Sequence, residues 1–128
     1  MNNFEFFSLI FLMLDACWTE CKNPELGQFL SGMNPYLWAS EDSADVAWYI
    51  EFKDYIKDKT LGDDNGFQLA KDYLKTIDFY PGLEKYLEEY DQDGWNDAMN
   101  QLLSQPHKGD GTKNPDDKNI EKYSLKKK

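Results

Sequence analysis

Arginine is absent from this 128-residue chain, histidine occurs once, valine once and cysteine twice, and each scarcity removes a class of protein. Without arginine, residues 1–104 carry 7 lysines against 20 acids, near −13, while residues 105–128 carry 7 lysines against 4 acids, near +3. A body so negative repels phosphate, so direct binding of nucleic acid or of an anionic membrane is not expected of it. The one histidine, His107, lies between Pro106 and Lys108 in a polar stretch and reads as a solvated residue. A lone histidine excludes the usual zinc ligand sets and the Ser-His-Asp arrangement. Cys17 and Cys21 stand four apart in a helical pattern, a poor geometry for a disulfide. They argue against a secreted disulfide scaffold and for a reducing cytoplasm. Neither a glycine-rich phosphate loop nor a metal-ligand spacing is present, so no cofactor, metal or catalytic residue is expected.

Strand signals are equally scarce. Val46 is the only valine, threonine is rare, and no period-two alternation is sustained. Aromatic residues are abundant at 16%, which argues against a disordered chain. The expected class is therefore all-α: a single-domain bundle of about five to six short helices over residues 1–104, followed by a polar, lysine-rich flexible tail over 105–128. The three closing lysines could fold back on the acidic body, but read rather as an exposed end.

Punctuation divides the body. A first helix over 3–21 carries Phe7, Ile10, Leu14 and Cys17 at helical spacing, with Phe4, Phe11 and Trp18 widening the face. Its apolar run from Phe6 to Leu14 is too short to span a bilayer, which needs about 20 residues. Leu14-Asp15-Ala16-Cys17 resembles a lipoprotein cleavage box and raises the alternative of a surface lipoprotein processed at Cys17. The residues before the run lack the positive charge that a signal peptide wants, so it reads as a core helix. Asn23-Pro24 ends this helix, and Pro24 opens a second one with Leu26, Phe29, Leu30 and Met33 on one side. After Asn34-Pro35, the rings of Tyr36 and Trp38 are expected to pack on the core, with Ser40, Asp42 or Ser43 capping a helix over 44–57. Further helices are expected over 67–77, 83–90 and 95–104, with turns at Asp63-Asp64-Asn65-Gly66, Tyr80-Pro81-Gly82 and residues 91–94.

Candidate chemistry is thin. Glu89 to Asn100 overlays a calcium loop at its first half, but Asn100 stands where a bidentate Glu belongs. Paired carboxylates such as Glu88-Glu89 and Glu41-Asp42 fall in hydrophilic segments without the apolar cleft that an acid–base pair requires. No enzyme is expected. The segment from Glu84 to Asp97 is more informative, because it interleaves acids with rings. Tyr86, Glu88, Glu89, Tyr90, Asp91, Asp93 and Trp95 together have the ingredients of an interface, with aromatic anchors and carboxylates that steer a basic partner; the equal alternative is that Tyr86, Tyr90 and Trp95 are core rings and the acids keep the domain soluble.

Four short segments carry a family resemblance: Asn23-Pro24-Glu25-Leu26 with Phe29-Leu30, Asn34-Pro35-Tyr36, Ser43-Ala44-Asp45, and Tyr80-Pro81-Gly82-Leu83. Across residues 20–104 the chain resembles bacterial toxin-immunity proteins, of the kind paired with contact-dependent growth inhibition and other polymorphic toxins. The resemblance implies a small cytoplasmic protein that binds one cognate, basic toxin domain, often a nuclease, and covers its active site. Such families transfer no catalytic residues. A protein-interaction or adaptor domain whose acidity serves solubility alone is the alternative reading.

Overall fold

The computed structural model describes residues 1–38, 40–62, 64–104, 125, 127 and 128, and is helical throughout. Its order is α1 (Asn3–Cys21), α2 (Pro24–Met33), α3 (Val46–Ile56), α4 (Gly66–Lys75), α5 (Glu84–Leu87) and α6 (Gln92–Ser104), with no strand among the described residues. His107, and residues 105–124 and 126 of the flexible tail expected over 105–128, lie outside the described residues.

α1 is the axis of the bundle. Asn2 opens it with a reciprocal cap: its Oδ1 accepts from the Glu5 N–H at 2.7 Å, while its own N–H donates to Glu5 Oε1 at 2.9 Å. Every residue from Phe6 to Leu14 is buried, so the helix has no solvent face over those turns. An amphipathic stripe would have left polar residues on the far side; an unbroken apolar run instead demands cover all round. α2, α3, α5 and α6 supply that cover. No helix is long and apolar enough to cross a membrane among the described residues. At its C-terminus Lys22 turns left-handed (φ 53°) and its N–H returns to the Trp18 carbonyl, which frees Asn23 to cap α2 through the Leu26 N–H.

The core is an aromatic network. Phe6 meets Phe52 and Trp95 edge-on at 5.6 and 5.9 Å, and Phe52 meets Tyr73 edge-on at 4.9 Å. Edge-to-face contact sets the rings' positive edges on negative faces and adds to the area buried. Rings from α1, α3, α4 and α6 are thereby fixed against one another.

Several boundaries differ from the sequence expectation. α3 is capped by Asp45, whose Oδ1 accepts from the Ala47 N–H, rather than by Ser40, Asp42 or Ser43. Ser43 is instead buried, and its hydroxyl accepts from the Tyr49 N–H. α6 starts at Gln92, earlier than expected, because Asp91 accepts from the Gly94 N–H and so begins the helix before residue 95. α5 is only one turn long, since the N–H groups of Glu89 and Tyr90 bond three residues back and end the α-helical ladder. Tyr36 is buried as expected, but Trp38 stays 44% exposed, its indole N–H held by the Ser43 carbonyl at 2.8 Å.

The chain's last residues also depart from expectation. Leu125 packs on the core, and Lys127 Nζ lies 2.8 Å from Glu20 and 2.9 Å from Glu89. The Lys128 N–H donates to the Glu89 carbonyl. This end is anchored, not free, because two carboxylates at the α1–α5 seam meet the Lys127 ammonium and the Glu89 carbonyl accepts a backbone N–H.

Two stability outcomes follow from this packing. Phe52→Ala should lower unfolding free energy by about 3–5 kcal/mol in urea titration, the range for emptying a buried ring site. Lys127→Ala should cost at most about 1 kcal/mol, or roughly 3–6 °C in Tm, because the carboxylates it meets are partly solvated. The Lys127 hydrogen bond holds the Glu89 carboxyl below its ordinary value. A depressed carboxylate stabilises above its unfolded pKa, about 4.3, and the contribution disappears as pH falls through the folded value. The Tm gap between wild type and Lys127→Ala should therefore persist at pH 7 and close below about pH 4.

Candidate functional site

The residues expected to form a binding face divide between surface and interior. Glu88, Glu89, Asp91 and Asp93 are exposed, and Tyr86 is half-buried on α5. Tyr90 and Trp95, by contrast, are 1% and 2% exposed and cannot touch a partner. Trp95 stacks on Phe67 at 5.5 Å and meets Phe6 edge-on; the Tyr90 hydroxyl donates to the Met13 carbonyl of α1 at 3.4 Å. Both rings are core residues, drawn inward because α5 and α6 close over α1. Asp91 is spent on capping α6, and Glu89 on Lys127. The expected interface thus keeps its charge and loses its anchors.

Cys17 sits beneath the same seam. Its Sγ lies 3.2 Å from Glu89 Oε2 and 3.9 Å from the Tyr90 hydroxyl. Burial, reinforced by the Glu89 carboxylate, pushes its thiol up to about 12. A neutral buried thiol is a poor nucleophile. Cys21, one turn on, is exposed, and neither cysteine is in a disulfide. Iodoacetamide at pH 8 should therefore modify Cys21 alone in the native protein and reach Cys17 only in urea, as intact mass would show. Equal labelling of both thiols without denaturant would contradict the packing of the seam.

The rings that do reach solvent lie elsewhere. A groove of about 600 Å³ opens between α2, α3 and the segment that follows α4. One wall is a stripe of α3: Trp48, Glu51 and Tyr55, at i, i+3 and i+7, with Asp45 at the helix start. The other is Asp78, Phe79 and Tyr80, leading into the turn where Gly82 takes φ +90°, a conformation that favours glycine. Phe79 is 80% exposed, the most of any large apolar side chain described.

Close packing holds these rings in place. Trp48 and Tyr80 lie 6.1 Å apart, both resting on Phe29 of α2, at 5.0 and 5.4 Å. Phe79 meets Tyr80 edge-on at 5.1 Å. Gly32 lets the indole approach the α2 backbone, since a Cβ there would stand 2.8 Å from Trp48 Nε1. The Asp45 N–H donates to the Gly32 carbonyl at 2.8 Å, which ties the start of α3 to the end of α2.

The groove floor includes Tyr73, 3% exposed, whose ring packs on Phe52 and Tyr55. Its hydroxyl is buried and has no hydrogen-bond partner among the described residues. Burial, with the negative charge of Glu51 added, raises its pKa and keeps it protonated. Thr76 is occupied, its hydroxyl donating to the Tyr73 carbonyl at 2.6 Å.

Asp45, Glu51 and Asp78 are exposed, and none is in an ion pair among the described residues. The groove pairs no nucleophile with a base, and the described residues hold no cluster of His, Cys, Asp and Glu able to bind a metal. What it offers is flat aromatic area beside uncompensated negative charge, which is equipment for binding cations. Comparison with known protein families, curated proteins and solved structures finds no match to this chain.

Proposed function

We propose that this protein is a non-enzymatic inhibitor of the toxin-immunity kind, acting in the cytoplasm. It binds a cognate basic toxin domain, probed first as a nuclease, and excludes substrate from that domain's active site. The observation that carries the reading is the groove between α2 and α3, where solvent-facing rings stand beside carboxylates that no lysine pairs among the described residues. Such a surface supplies both parts of recognition: carboxylates raise the association rate with a positive partner, and rings set residence time. The net charge near −13 over residues 1–104 extends that attraction beyond the groove.

The resemblance carried by Asn23-Pro24-Glu25-Leu26 and Tyr80-Pro81-Gly82-Leu83 adds the immunity role to this chemistry. The second segment enters the groove through Tyr80, whose ring rests on Phe29 of α2, one turn beyond the first segment. Tyr86, Glu88 and Asp93 then stand as an outer, charge-steering surface, with Tyr90 and Trp95 withdrawn from it.

The test is binding of the purified chain to the toxin domain encoded beside its gene, at 0.05 and 0.5 M salt. Affinity should fall by roughly tenfold or more, because 0.5 M salt shortens the Debye length to about 4 Å. Glu51→Lys should abolish binding and toxin protection while circular dichroism stays unchanged. Salt-independent affinity, or full protection by Glu51→Lys, would refute the inhibitor reading.

A further inference from the structure

Four lysines in this body already lie over aromatic rings: Lys22 over Trp18, Lys53 over Tyr49, Lys59 over Tyr55 and Lys71 over Phe67, at 4.0–4.9 Å. Trp48, Phe79 and Tyr80 have no such cation among the described residues. The same groove holds Glu51 and Asp78, neither of them in an ion pair among the described residues.

We propose that this groove is the receptor for a single arginine side chain projecting from the basic protein partner. The inference rests on the inhibitor reading for the partner's identity, and on the groove alone for its chemistry. A guanidinium is flat and stacks on aromatic faces more readily than an ammonium. Its five N–H donors spread in a rigid fork, so they can reach acceptors on separate walls at once. Here those acceptors are Glu51 on α3 and Asp78 after α4. A lysine presents its three donors from one point and cannot span the same set. The chain has no arginine, so a guanidinium must come from another molecule.

The probe is acetyl-Gly-Arg-Gly-amide, titrated into the full-length protein and followed by the Trp48 indole N–H resonance. Saturation is expected in about the millimolar range, as suits one side chain. The lysine analogue should bind about fivefold or more weakly. Glu51→Gln and Asp78→Asn should each weaken the arginine peptide by roughly three- to tenfold, with folding checked by the Trp95 resonance. Equal binding of the lysine peptide or of tetramethylammonium would overturn the arginine assignment. So would a titration without saturable Trp48 shifts, or one confined to Glu88, Asp91 and Asp93. Arginine-peptide binding without protection against any toxin would sink the inhibitor reading and leave the receptor standing. Toxin binding that the arginine peptide cannot compete away would sink the receptor alone.

Discussion

The structure depends on one constraint: a helix with no polar face over Phe6 to Leu14 has to be kept from water on every side. Burying that run drives the other helices to surround it, each turning one apolar stripe inward and leaving its remaining surface to solvent. α2 and α3 meet the axis through Phe29, Met33, Tyr49 and Phe52. Their outward residues then form a second layer in which Trp48 and Tyr80 rest on Phe29 without entering the core. The groove is thus a by-product of wrapping, a place where two covering elements fail to close over each other.

Charge is distributed to different ends across this shell. At the α1–α5 seam, Lys127 claims Glu20 and Glu89, and Glu89 in turn accepts from the Cys17 thiol. Along α3 and α4, lysines lie over the rings of Tyr49, Tyr55 and Phe67. Among the described residues neither arrangement extends to Glu51, Asp78, Trp48, Phe79 or Tyr80 in the groove. An overall charge of −10 describes the average and hides this contrast, which is why the local inventory of pairs is more informative than the total.

Helix punctuation was legible in the chain. Asn2, Asn23-Pro24 and Lys22-Asn23 fix the ends of α1 and the start of α2 through local hydrogen bonds that need no tertiary partner. The candidate face was legible only in its charges. Tyr90 and Trp95 lie amid acids, and an acidic neighbourhood looks the same in composition whether the ring points in or out. Direction is set by helical phase, and α5, at one turn, is too short for phase to show. The groove escapes sequence reading for another reason: it joins residues 45–55 to residues 73–80, and only the fold brings them together. The spacing of Trp48, Glu51 and Tyr55 was the one local signal available. Likewise, nothing distinguishes Lys127 from its neighbouring lysines until Glu20 and Glu89 are placed beside it.

The oxygen of Tyr73 has a consequence for how far this scaffold can be improved. Enclosing a hydroxyl that has no partner among the described residues costs on the order of 1–3 kcal/mol, so phenylalanine would be the better residue for folding alone. Any redesign that ranks residues by thermal resistance would make that exchange first, and the ring's packing on Phe52 and Tyr55 would carry over to the hardier chain.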